Sequence, residues 1–386
     1  MRPPCFVAGT RQEIGMSTVT VRTGEIVAMR LFDVAYAIDL GRAEALWASR
    51  AGAGASRGRL NTAAPKAVAF NVPPLELSLG ESTIELGGGS ARMVLGARLH
   101  DFGVVALSAR VPVGDLDWAQ FSDRFNALDQ AIGPASDTAL WTDLLDRVRA
   151  VIASALERPG PSSLQEDYLL CVVHTLAQPL TGAQLRDSVD LAALLSGESR
   201  PLSEDASRDI LRRSFSYYAD DLVVLTWDRA FIYEPRGDSD VIDVIEIANA
   251  QLVEFRYYDE LLDDELPLMY DRVEKARGAT SLLASRRFAH LARRLYTMVA
   301  EVTELTEKVD NALQVTEDVY LARVYSAALD LFRVPNVSAA VDRKLAIIRD
   351  TYSALYEEAS SRRAEVLEIA ITLLIALEIG IVVFRH

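Results

Sequence analysis

The stretch LELSLGESTIELGGGSARMVLGARLHDFGVVALSARV, residues 75–111, holds strand-like runs at 75–79, 84–86, 91–99 and 104–111. Each is short and aliphatic, and turn formers separate them. The glycines at 87–89 read as a turn, as does Asp101-Phe102-Gly103. Another run, 67–72, precedes them, behind a loop expected to be flexible at 51–66, AGAGASRGRLNTAAPK. Before that loop, residues 41–50 look helical, and alternation at Val19, Val21 and Ile26 within 17–31 suggests two short strands. Beyond it, helical patterns cover 115–131 and 138–156, and a buried strand covers 167–175. Helices follow at 182–195 and 204–213, then strands at 222–227 and 230–234 around a turn at Asp228. Strand clusters beside separate helices predict an α+β domain over 1–235, not a doubly wound sheet.

The whole chain has 386 residues, half of them hydrophobic, enough for about two domains. Its net charge of −15 argues against nucleic-acid binding, which draws most of its affinity from phosphate neutralisation. Broad docking on anionic lipid is disfavoured for the same reason. The cysteines, Cys5 and Cys171, imply no disulfide framework; Cys171 lies in an apolar run and reads as a buried thiol. MRPPCFVAGTRQEIG at the N-terminus has no apolar signal-peptide core, so the chain is expected to stay in the compartment where it is made.

Two long helical patterns fill a second domain at 240–365. One stripe runs Phe288, Leu291, Leu295, Met298, Val302, Leu305, Val309 and weakens at Ala312 and Thr316. The other runs Leu345, Ile348, Tyr352, Leu355, Ala359, Arg362, Val366, Ile369, Leu373. Both have heptad spacing, which usually marks helix packing. VPNVS, 334–338, breaks them: the residue before Pro335 avoids the α region, and Asn336 or Ser338 can cap the next helix. An antiparallel helical hairpin is predicted, continuous from 338 to 384 in its second arm.

That arm ends in VLEIAITLLIALEIGIVVF, 366–384, where thirteen of nineteen residues are Val, Leu, Ile or Phe. Nineteen helical residues span roughly 28 Å. Those apolar side chains favour insertion by roughly 4–8 kcal/mol, against about 3 kcal/mol for Glu378. Arg362 and Arg363 precede the run. The expectation is one C-terminal transmembrane helix, with the bulk on the cytoplasmic side of a bacterial inner membrane. Ala376 and Gly380 form a small-residue face with Glu378 roughly opposite, predicting helix association. The competing reading is a buried helix of a bundle.

Catalytic motifs fail on context. Asp101-Phe102-Gly103 matches a kinase triplet without its companion motifs, and Gly54-Ala55-Ser56-Arg57-Gly58 fits the nucleophile-elbow pattern inside a loop. There is no phosphate-binding GxxxxGK[ST]. His100, His174, His290 and His386 have no partners at metal-ligand spacing. The acids Asp259, Glu260, Asp263, Asp264 and Glu265 read as a solvated helix end. No cofactor or metal is expected.

The densest polar pattern is EIANAQLVEFRYYDELLDDEL, 246–266. On a helical wheel Glu246, Asn249 and Arg256 fall on one side, and Gln251, Glu254 and Tyr258 on another. A surface helix normally has one polar face. Two polar faces imply a helix gripped from both sides, with Glu246 paired to Arg256 or Arg256 bridging to another element. A ligand or partner site including Asp259 is the alternative.

This helix, with Ser214-Phe215-Ser216-Tyr217-Tyr218, Asp221, Trp227-Asp228 and the apolar tail, resembles the Rmd/YagE family. The likeness extends from about residue 30 to the end of the chain. The resemblance implies a membrane-linked, homo-oligomeric protein without established enzymatic activity, connected in some relatives with support of translation. The expected function is therefore a non-enzymatic, membrane-anchored oligomeric scaffold, with itself, the membrane and the ribosome or translation factors as partners. A cryptic enzyme or ligand-binding module centred on 246–266 is the alternative.

Overall fold

A computed structural model describes residues 19–51, 55–57, 69–70, 72–87, 89–160, 164–198, 200–237, 240–277, 281–310, 313–314 and 319–384. Cys5, Gly54, Gly58, His386 and most of the expected loop at 51–66 lie outside the described residues. The chain opens with β1 (Thr20–Asp33), β2 (Ala35–Ile38), α1 (Leu40–Ala51), β3 (Ala55–Arg57) and β4 (Ala69–Phe70). Next come β5 (Leu75–Leu86), β6 (Gly89–Leu99), β7 (Val104–Val113) and β8 (Leu116–Asp117). Helices α2 (Trp118–Ile132) and α3 (Leu140–Ile152) lead to β9 (Leu156–Pro159) and β10 (Gln165–Leu176). Three short helices follow, α4 (Gly182–Ser188), α5 (Leu191–Ser196) and α6 (Glu204–Ile210). Then come β11 (Ser214–Phe215), β12 (Leu222–Leu225) and β13 (Arg229–Tyr233). The remainder is α7 (Val241–Arg277), α8 (Ser281–Asp310), β14 (Leu313–Gln314), α9 (Val319–Leu331) and α10 (Val334–Phe384).

The main sheet runs β11-β12-β13-β10-β1-β7-β6-β5-β3, with β8 also on β1. Its pairings are antiparallel except β10 with β13. At the centre, Ala28 faces Leu169 of β10 on one side and Ala109 of β7 on the other. Side chains alternate between sheet faces, and in β1 both faces are buried. Val27, Met29 and Leu31 join one core with Val244, Ile247 and Phe255 of α7. Ile26 and Ala28 join the other with Phe121 and Phe125 of α2 and Trp141 and Val148 of α3. The sheet is thus a middle layer, with α1–α3 and α5 on one face and α7 with the C-terminal helices on the other. This is the α+β class expected from the sequence.

Two glycines shape the strands. Gly24 sits at a register shift in β1, and a Cβ there would meet the Val172 carbonyl oxygen at 2.4 Å. Gly80, at φ +91°, sits at a second shift in β5. Each marks a bulge within one long strand, so the strands expected as separate pieces at 17–31, and at 75–79 and 84–86, are each continuous. Asp101-Phe102-Gly103 is a turn. Gly103 has φ +100°, and a Cβ there would lie 1.8 Å from the Ala35 carbonyl oxygen.

In the helical part, α8 ends at Asp310, where its stripe was fading, and a separate helix α9 precedes the turn. Pro335 lies in the first turn of α10, where its missing N–H costs nothing. Arg333, at φ +59°, makes the reversal. The two stripes meet: α10 packs on α8 and α7, with Leu345, Ile348 and Leu355 in one core with Leu291, Leu295 and Val302.

The C-terminal expectation needs correction. Among the described residues, no helix is long and apolar enough to cross a membrane. The described side chains of the apolar run extend from Leu367 to Ile381 and include Glu368, Thr372 and Glu378. Two carboxylates and a hydroxyl within the run lower its hydropathy and raise the cost of placing it in hydrocarbon. The transmembrane element at 366–384, the membrane partner and the inner-membrane placement that rested on it are not supported.

Candidate functional site

Helix α7 carries the polar pattern across the sheet, and its N-terminal half is met from below by β6. Positions Val94, Gly96 and Arg98 alternate along that strand. The Arg98 guanidinium donates to Asp243 (2.7 Å) and to Glu76 (2.7 Å), and lies 3.3 Å from Glu246. His100 Nε2 lies 3.2 Å from the same Glu246 oxygen. Glu246 and His100 are both buried. Burial alone pushes the Glu246 carboxyl up, but Arg98, then His100, outweigh it and hold its pKa below the ordinary value. Burial opposes the charge on Arg98, yet Glu246, Asp243 and Glu76 raise its pKa well above the ordinary value.

The rest of the pattern is distributed. Asn249 turns back and donates to the Ile245 carbonyl at 3.1 Å, one turn earlier in α7. Gln251 accepts from the Tyr325 hydroxyl of α9 at 2.7 Å. Tyr258 donates to Glu254, and both side chains are buried; burial, then the Glu254 charge, push the Tyr258 pKa far up, so the phenol stays protonated. Arg256 pairs with Glu166 at the start of β10. Lys344 of α10 meets Asp259 at 2.7 Å and Asp263 at 2.6 Å.

Each sequence-predicted residue of α7 therefore reaches a partner, and the set does not converge. Glu246 points to the sheet, Gln251 to α9, Arg256 to β10 and Asp259 to α10. Charges neutralised this way can hold elements in register. The one hydroxyl–carboxylate pair among them, Tyr258 on Glu254, is 1% exposed at both residues and so closed to a substrate. The acids at 259–265 are partly consumed by Lys344 and by Arg272 and Arg294, which both pair with Glu265. Among the described residues, no group of three His, Cys, Asp or Glu side chains is placed to hold a metal ion.

Arg98, His100 and Asp243 were missed as site residues. The available signal was weak, an arginine on the strand face opposite the buried Met93, Leu95, Ala97 and Leu99, in phase with Val94 and Gly96. Arg229 was missed too. It is buried on β13 and donates to Asp129 (2.6 Å), Asn126 (3.1 Å) and the Leu194 carbonyl (3.2 Å), tying the sheet to α2 and α5. Gly197, at φ +67°, leaves room for that guanidinium, since a Cβ would meet its Nη2 at 2.6 Å.

Ala376, Glu378 and Gly380 lie far from these contacts. From Tyr356 to Ile381 every side chain described on α10 is exposed, apart from the half-exposed Gly380. A Cβ on Gly380 would meet nothing within 4 Å. Leu367, Ile369, Ile371, Leu373, Leu374, Ile375, Leu377, Ile379 and Ile381 stand around the helix, each about half exposed or more.

Residues 23–240 match the family described as "Uncharacterized protein MJ0711, N-terminal domain". A protein of Methanocaldococcus jannaschii with the name "Uncharacterized protein MJ0711" is 23% identical over 227 residues, covering 58% of this chain and 68% of that protein. No solved structure matches. The match holds the sheet, α1–α6 and the start of the link to α7, and stops before the polar helix.

Proposed function

We infer that this chain, which belongs to the family of the MJ0711 N-terminal domain, is a non-enzymatic scaffold that self-associates through the C-terminal part of α10. The observation that carries this reading is the ring of exposed leucines and isoleucines from Leu367 to Ile381. A helix apolar on all sides is normally buried, and exposed apolar patches of this size mark interaction sites. Full burial of a Leu or Ile contributes about 1.5–3 kcal/mol, so nine half-exposed side chains offer on the order of 7–14 kcal/mol per copy. That is comparable to the cost of bringing copies together.

A second copy is the favoured occupant because the seam is already of the right kind. The heptad phase through Leu345, Ile348 and Leu355, used within the chain, continues into Ile369 and Leu373. A like helix in the same phase presents complementary knobs and holes. Ala376 and Gly380 permit close approach.

The finer resemblance to the Rmd/YagE family rests on SFSYY with Asp221, on Trp227-Asp228 and on the 246–266 helix. It supports a scaffold that holds or assists translation machinery, with the ribosome or a translation factor as the further partner.

The test is the mass in solution, by light scattering, of the full chain, of a chain ending at residue 365, and of a Leu373→Asp/Leu377→Asp variant. The full chain is expected to contain several copies and both altered forms one. A single copy in all three overturns the reading, as does an assembly that survives both changes. Flotation of the full chain on lipid vesicles as single copies also overturns it.

A further inference from the structure

Beside the clasped face of α7, among the described residues, lies a cleft of about 500 Å³. It opens where the β2–β9 ribbon meets α7 and α8. Its floor is apolar and adaptable, with Tyr257 and Leu261 from α7 and Met298 and Val302 from α8. Ligand sites of this size, at the junction of substructures, with an apolar floor and few polar groups, are the common kind.

The rim carries both signs of charge. On α8, Arg294 pairs with Glu265 at 2.9 Å and Glu301 pairs with Arg158 at 3.0 Å. The side chains of Arg294 and Glu301 are 50% and 39% exposed, so both pairs are wet and exchangeable. Arg294, Met298 and Glu301 lie at successive i+4 and i+3 spacings along one face of the helix. Seven residues of rise set the two charges about 10 Å apart along the floor.

Arg158 is held there at a cost. It has φ +45°, a left-handed conformation unusual outside glycine, and its guanidinium lies 3.6 Å over the Tyr36 ring. Strain of this kind persists where surrounding structure imposes it, and it concentrates at ligand clamps. The stacked pair forms the wall opposite α8.

We propose that this cleft binds a short zwitterionic peptide of about three residues with an apolar central side chain. Its carboxylate exchanges for Glu265 at Arg294, its ammonium exchanges for Arg158 at Glu301, and its central side chain rests on Leu261 and Met298. About 3.3–3.6 Å per extended residue makes three residues match the spacing of the charges. A single amino acid is too short to reach both, and a neutral apolar molecule leaves both charged pairs unused. The site is independent of self-association.

The probe is Ala-Phe-Ala, titrated by calorimetry into the full chain, against N-acetyl-Ala-Phe-Ala-amide of the same shape without terminal charges. The free peptide is expected to bind at least tenfold more tightly than the capped one. Arg294→Gln and Glu301→Gln are each expected to weaken the free peptide about tenfold and leave the capped peptide unchanged. Thr297→Trp, at an exposed lining position, is expected to block both. All three substitutions are at solvent-facing sites, and an unchanged unfolding curve verifies the fold. Equal binding of the two peptides overturns the proposal, as does insensitivity to either charge substitution. No binding at millimolar peptide overturns it too.

Discussion

Replacing Arg98 by methionine tests whether the buried charge cluster holds α7 on the sheet. Methionine keeps much of the aliphatic bulk and removes the guanidinium that pairs with Glu76, Asp243 and Glu246. The side chain of Glu76 is 42% exposed and that of Asp243 is 19% exposed, so both regain solvent. Glu246, at 6%, does not. Removing one partner of a buried pair costs about 3–5 kcal/mol. His100 remains as a donor, so the expected loss at pH 7.5 lies near the lower figure, about 3 kcal/mol. With a urea dependence of roughly 2–3 kcal/mol per molar, the midpoint falls by about 1–1.5 M. The pH dependence changes sign. In the native protein Glu246 has a lowered pKa, so its contribution is present above the unfolded carboxylate value and lost as pH falls through the folded one. In Arg98→Met the same carboxyl keeps His100 and the weaker influence of Arg110 but loses the largest of the opposing charges, so burial is expected to raise its pKa. Its unfavourable ionisation then appears as pH rises through that value. The deficit should therefore be largest at pH 7.5 and shrink by half or more at pH 4.5, where Glu246 takes a proton. Urea melts followed by far-UV circular dichroism, at one protein concentration, measure both. A deficit below 1 kcal/mol at pH 7.5, or one equal at the two pH values, would refute the reasoning.

Other expectations follow from single contacts. Gly103→Ala combines a φ of +100° with a Cβ placed 1.8 Å from a backbone oxygen, so it should cost more than about 3 kcal/mol or abolish soluble expression. For Lys344 and Asp259, a double-mutant cycle with Lys344→Met and Asp259→Asn should give a coupling of only about 0.5–1 kcal/mol in urea melts, because Asp259 is partly hydrated. A coupling above 2 kcal/mol would show that α10 is held chiefly by this pair. Cys171 is buried, burial pushes its thiol pKa up, and it donates to the Ala230 carbonyl at 3.3 Å. In a Cys5→Ser background, iodoacetamide at pH 8 should label it only under unfolding conditions; rapid labelling of the folded chain would contradict its placement.

The strands were legible where turn formers bounded them, as at Asp101-Phe102-Gly103. They were misread where glycine serves a long strand from within. Gly24 and Gly80 look like punctuation in sequence but are bulges, needed for close approach in one case and positive φ in the other. Burial of both sheet faces was only partly visible, because the second layer comes from α7, far along the chain. The two polar faces of α7 were plain from the wheel, and the grip from several sides is real. Its partners were not legible. Arg98 is 145 residues from Asp243, and Lys344 is 85 from Asp259, and no local periodicity reports contacts of that separation. The apolar tail was visible as a pattern, but periodicity alone does not say what covers it.

The two halves of α10 divide the work of the molecule. Up to Leu355 the helix is fixed, by Lys344 on α7 and by Ile348 and Leu355 in the core shared with α8. Beyond Tyr356 the described side chains touch no such support, yet the helix is unbroken to Phe384. From Leu355 to Ile381 an α-helix rises about 39 Å, so the apolar ring stands well clear of the clasp. A rod anchored at one end cannot bury its free end on its own body without a break, and no glycine-rich or proline-containing hinge lies between 356 and 379. The buried charges on α7 act on this indirectly. By fixing α7 to the sheet they fix the platform from which α10 projects, and so the direction in which the apolar ring is offered to another copy.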